Sequence, residues 1–173
     1  MVGFRKPNNA IVVAGNPIVQ ELEVRTATNC VPGRLVERDT TDSQVKVGTA
    51  TGNVIGWLGY EQASKQYRPA SISTAYAANA QAPVLSGGGF VMLGRLASGQ
   101  NVSKGVRLVA AANGEVTAAS ALAVPSGATT VTSNAAQPNI SGAYGSQGVV
   151  VAIAEESVDA SAEAKDIMVR SQI

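Results

Sequence analysis

The sequence predicts an all-β fold: a compact, β-barrel-like domain of short strands, with an extended N-terminal arm and little helix. Short runs rich in Val, Ile and Thr recur along the chain, each bounded by Gly, Pro, Asn or Asp. The 173 residues include 18 Gly and 7 Pro, so turns are frequent and long helices few. A third observation is a phrase written twice, first as Cys30-Val31-Pro32-Gly33-Arg34-Leu35-Val36 and again as Ser103-Lys104-Gly105-Val106-Arg107-Leu108-Val109. Each copy is a turn, a glycine, an arginine and an apolar pair, and each runs on into a second turn. Gly33 and Gly105 are therefore expected to place two similar strand-and-hairpin units around one small core.

The elements follow in order. Residues 1–17 read as the arm, polar at first and containing Pro7-Asn8-Asn9. Ile11–Ala14 is a short apolar run broken by Gly15-Asn16-Pro17. Residues 18–173 read as a single β domain. From Ile18 to Thr28 the pattern alternates, with Leu22 and Val24 on one face and Glu21, Glu23 and Arg25 on the other, as a half-exposed strand requires. Strands are expected at Leu35-Val36, Val45–Val47 and Asn53–Leu58, and Trp57 in that last run reads first as a core anchor. Tyr60–Gln66 predicts a short helix that ends before Pro69, and Ile72–Tyr76 a further strand.

Phe90–Leu93 and Arg95-Leu96 form the next strand, after the turn Ser86–Gly89. The second copy of the phrase leads to Asn113-Gly114, a two-residue hairpin signal. Residues 118–147 are dominated by Ala, Ser, Thr and Gly, and predict a long loop or a weak β-ribbon. Gly148–Ala154 is the strongest strand pattern, apolar enough to be covered on both faces. An acidic connection, Glu155–Lys165, leads to a final strand at Asp166–Arg170. Eight to eleven short strands are expected in all.

Composition narrows the function. Apolar residues make up 45% of the chain, charged residues 14% and aromatics 4%, with a net charge of +1. That charge gives no electrostatic footprint for nucleic acid, and no run is long enough to span a membrane. Met1–Pro7 lacks the apolar centre of a secretory signal, so synthesis inside a cell is expected. With no histidine and one cysteine, Cys30, the commonest general base and the multi-cysteine zinc sites are missing. Ser86-Gly87-Gly88-Gly89 resembles a phosphate cradle, yet a strand follows it and no lysine accompanies it. Asp39 and Asp42 read as solvated carboxylates, and no serine has an evident base. The hairpin tip Ala111–Gly114 carries no lysine, which removes a lipoyl or biotinyl carrier. No catalytic, cofactor or metal residue is assigned, and a non-enzyme is expected.

Several segments together resemble the small head-decoration, or capsid cement, proteins of tailed viruses. They are the first phrase with Gly56-Trp57-Leu58-Gly59-Tyr60, the stretch Leu96–Val109, and the ending Val150–Ala160 with Asp166–Arg170. The resemblance spans most of residues 18–173 and omits 118–147. It implies a β-tulip-like domain on the outer surface of an icosahedral head, clamping neighbouring major capsid proteins as a homotrimer. On that reading the protein is made in the host cytoplasm and ends in the virion. Its partners would be the major capsid protein and itself, with no cofactor, nucleic acid or membrane. The arm residues Phe4, Arg5, Lys6, Ile11, Val12 and Val13 are the expected capsid contacts. Trp57, Tyr60, Tyr67 and Arg68 are the expected contacts between subunits. The alternative is a head-fibre base or an adhesin-like carbohydrate-binding domain; the scarcity of aromatic residues weighs against a sugar-binding site.

Overall fold

The computed structural model describes residues 6–7, 9–41, 43–119 and 149–173, and within them the regular secondary structure is nearly all β-strand. The first six strands are β1 (Val12–Ala14), β2 (Ile18–Val24), β3 (Leu35–Arg38), β4 (Gln44–Val47), β5 (Val54–Leu58) and β6 (Gln81–Ser86). The last five of these close into a barrel in the order β2-β4-β3-β5-β6. Alternation along each strand fills it: Leu22, Val24, Val36, Val45, Leu58 and Val84 turn inward as one buried cluster. Closure removes free edges wherever pairing is complete.

A second ring follows. Its strands are β7 (Val91–Leu96), β9 (Arg107–Ala110), β10 (Val116–Ala118), β11 (Val150–Ala154) and β13 (Lys165–Ser171). They pair in the order β7-β10-β9-β11-β13, and β7 also pairs with β13. β1 lies beside β7, while β8 (Gln100–Val102) and β12 (Val158–Ala160) form a separate ribbon.

The two rings have the same topology and the same register. Leu35 pairs with Trp57 where Arg107 pairs with Ile153, and Trp57 with Leu85 where Ile153 pairs with Arg170. Leu22 faces Ala82 where Gly94 faces Ile167. Each ring has one parallel contact, Val24 with Val45 and Leu96 with Val116. This correspondence sets Gly33 on Gly105, and both hold positive φ (81° and 88°), where a side chain would be strained. The doubled phrase therefore marks the entry to the same strand of each ring. Its arginines are not equivalent, since Arg34 precedes β3 whereas Arg107 lies within β9.

The rings share a seam. Leu35, Trp57 and Leu85 turn away from the first barrel and join Met92, Leu96, Leu108, Val151 and Val169 of the second ring. Trp57 is fully buried, and its indole Nε1–H donates to Ser171 Oγ at 3.2 Å. A Cβ on Gly94 would stand 3.1 Å from the Trp57 ring, so the absence of a side chain there makes room for the indole. At the rim, Arg34 Nη1 donates to the Asn113 carbonyl at 2.7 Å and to Glu115 Oε1 at 3.1 Å.

Several expectations are corrected. Tyr60–Gln66 is not a helix but successive turns, with the Ala63 N–H on the Tyr60 carbonyl and the Tyr67 N–H on the Ser64 carbonyl. A helix this short nucleates poorly, and Arg68 captures the Glu61 and Ala63 carbonyls instead. Ile72–Tyr76 is a turn rather than a strand, because the Ser71 hydroxyl bonds Ser73 and Thr74 and competes with ladder pairing. Asn113 and Gly114 both take positive φ, yet they sit in a 3-10 turn (Ala112–Gly114) within a longer connection from Ala110 to Val116. The acidic connection contains β12, and the thirteen strands among the described residues exceed the expected number because four have only three residues. Two buried clusters replace the single small core. The predicted loop or ribbon at 118–147 lies, beyond Ala119, outside the described residues, as do Phe4, Arg5 and Asp42.

Candidate functional site

The chemistry-bearing side chains assemble where the N-terminal segment meets the loop after β5. Antiparallel pairing sets Val12 opposite Met92 and Ala14 opposite Val91, and the Leu93 N–H donates to the Ile11 carbonyl at 2.7 Å. On the other side a single carboxylate takes two backbone donors. Ile11 N–H reaches Glu61 Oε2 at 3.1 Å, and Val12 N–H reaches Glu61 Oε1 at 2.8 Å. Hydrogen bonds to an ionised acceptor are the strong kind, about 1.5–3 kcal/mol each. Lys6 adds an exposed ion pair to Glu156 at 2.8 Å and a bond to the Asp166 carbonyl at 2.8 Å.

The loop that presents Glu61 is itself braced. Arg68 Nη2 donates to the Glu61 and Ala63 carbonyls at 2.7 and 2.9 Å, and its guanidinium lies 5.4 Å from the centre of the Tyr60 ring. Tyr76 is fully buried and donates its hydroxyl to the Gly59 carbonyl at 2.7 Å; burial pushes its phenol well above the usual range. Cys30, buried in the first barrel, has its thiol pushed up to about 11 by the same desolvation and is no nucleophile at neutral pH.

The structure thus brings the two predicted groups together. Val12 and Val13 pack half-buried on the core, Lys6 is surface-bound, and Tyr60 and Arg68 stack beside the carboxylate that holds the strand. Tyr67 is exposed. Ile11 (2% exposed) and Trp57 (0%) are buried within the chain itself. Ile11 plugs the second ring's core, and Trp57 fills the seam. Glu61, which joins the two groups, was not predicted; a lone glutamate in a polar loop carries no periodic signal.

No group of three or more metal-capable side chains occurs among the described residues. Asp39 is paired with Arg25 and Lys46, at 3.6 Å each. A cleft of about 180 Å³ between Ile11, Pro32, Ile72 and the Arg95–Asp166 pair is below the ~300 Å³ at which small-molecule sites begin. What the site offers is a docked strand and its fastening.

Comparison with known proteins agrees. The model of the XM1 gp53 minor capsid protein family matches residues 3–168, and the chain belongs to that family. It is therefore a virion structural protein, as the resemblance to capsid-associated proteins of tailed viruses implied. No curated protein matches. Among solved structures, the N base of the head fibre gp8.5 of bacteriophage phi29 is similar at a TM-score of 0.44 and 9% identity, covering 91% of this chain and 95% of that one.

Proposed function

We propose that this member of the XM1 gp53 minor capsid protein family decorates the outside of an icosahedral head and cements neighbouring major capsid proteins, as a homotrimer. The family match over residues 3–168 carries the reading. Supporting it is a chain whose visible devices are fastenings rather than chemistry: a strand docked by Glu61, a seam, and twin rings. A net charge of +1 limits repulsion between copies packed on one shell, and many weak contacts on a lattice add up to a firm one. On this reading the protein is not an enzyme, and its work is done by binding free energy.

Co-sedimentation with purified, expanded heads tests this. A fixed ratio to the major capsid protein, saturating at the number of threefold and quasi-threefold sites, is the expected result. Failure to bind, or occupancy at only a few positions as for a fibre base, would overturn it.

A further inference from the structure

The two rings differ in what covers one strand edge. In the second ring, β1 runs along β7 and covers its first half. The matching half of β2 is bare: among the described residues β4 pairs only with Glu23 and Val24, leaving Ile18–Leu22 with β6 alone. The register correspondence places Ile18 on Phe90, Val19 on Val91, Gln20 on Met92 and Glu21 on Leu93. Phe90 and Val91 are 2% and 4% exposed; Ile18 and Val19 are 67% and 45%.

Backbone direction leaves this edge with open donors and acceptors among the described residues. The Val24 N–H bonds the Ala80 carbonyl on the β6 side, whereas the Glu23 and Arg25 N–H groups bond Ser43 and Val45 on the β4 side. By strand alternation Val19 and Glu21 point their N–H and C=O groups the same way as Glu23, into the gap. In the second ring the equivalent donor, the Leu93 N–H, is taken by Ile11. There is one arm strand for two slots, and the described residues fill only one.

We infer that the β2 edge at Val19–Glu21 accepts an extended segment of a partner polypeptide, running antiparallel as β1 does on β7. The segment is apolar beside Ile18 and Val19. It is basic at its N-terminal end, where Glu21 is exposed and has no ion pair among the described residues. The inference rests on the proposed capsid role only for the source of that segment.

Hydrogen exchange of the full chain tests it, followed at residues 18–22 when free, on expanded heads, and with a synthetic peptide of residues 5–14 as a surrogate strand. The Val19 and Glu21 amides should exchange freely alone and slow at least tenfold on heads and with peptide. Glu21→Pro, which removes the outward N–H together with the carboxylate, should keep the circular dichroism spectrum and lose binding, while Glu21→Gln, which removes the charge alone, retains most of it. Head binding without slowed exchange overturns the slot and leaves the capsid role standing. Slowing by peptide without head binding upholds the slot and overturns the role. No slowing with either overturns both, and slowing that grows with protein concentration alone would assign the edge to a second copy instead.

Discussion

Arg34, at the mouth of the first ring, holds Glu115 of the second across 3.1 Å, and the same guanidinium nitrogen grips the Asn113 carbonyl at 2.7 Å. The first copy of the doubled phrase thus braces the turn that follows the second copy. Both side chains are mostly buried, at 16% and 15% exposure, so the pair is sheltered from the screening that weakens surface bridges. Arg34→Ala is expected to destabilise by about 1–3 kcal/mol, because it leaves a carboxylate and a carbonyl unpaired. Urea titration should read this loss, and Arg34→Lys should recover part of it, since both contacts are made by a single nitrogen that an ammonium could replace.

Glu61→Gln should loosen the N-terminal strand without unfolding the rings. An amide can accept one of the two N–H bonds now made to the carboxylate, and as a neutral acceptor. Exchange at Ile11 and Val12 is expected to rise tenfold or more, with unchanged protection in β9 and β11. Equal loosening everywhere would show that Glu61 supports the fold rather than the strand.

Truncation should split the arm in two. Removing residues 1–9 takes away the Lys6 ion pair, an exposed contact worth at most ~1 kcal/mol, and should leave the melting temperature nearly unchanged. Removing 1–15 also strips β1 and the core plug Ile11, and should lower melting by several degrees. Calorimetry of the two truncations is the measurement.

Trp57→Ala should cost about 3–5 kcal/mol, since it empties the seam shared by both rings. Trp57→Phe keeps most of the volume but leaves the buried Ser171 hydroxyl without its indole donor, and should cost less. If Trp57→Ala unfolds one ring alone, seen as two transitions, the seam does not couple them.

Stability should decline at alkaline pH partly through Cys30. Its thiol titrates at about 11 in the folded chain against 9.0 when free, a raised value set by burial. The neutral thiol is favoured by folding, so its contribution is full below pH 9 and is lost as pH rises through 11. Cys30→Ala should flatten that part of the stability–pH curve, and native Cys30 should resist a thiol reagent at pH 8 until urea exposes it.

Much of this was legible in the residues. Leu22 and Val24 alternate with charged neighbours and sit inside a barrel strand; Val149–Ala154 and Asp166–Arg170 announce β11 and β13; Gly33 and Gly105 mark matching turns. Where local hydrogen bonding competes, as at Ser71 and Arg68, the same reading named a strand and a helix that do not form. The fastening was out of reach. Glu61 meets Ile11 and Val12 across some fifty residues of chain, and nothing in its own neighbourhood distinguishes it from a solvated glutamate.

By itself the sequence determined an all-β chain, the places of most strands, and a repeated glycine turn, because side-chain alternation and positive-φ turns are local properties. Only the tertiary structure decided that the repeat is two rings of one topology, that Trp57 faces the seam, and that one arm strand fills one of two equivalent slots. Those outcomes depend on which distant edges pair, and each pairing is selected by closing a ring, burying a seam or satisfying a backbone donor.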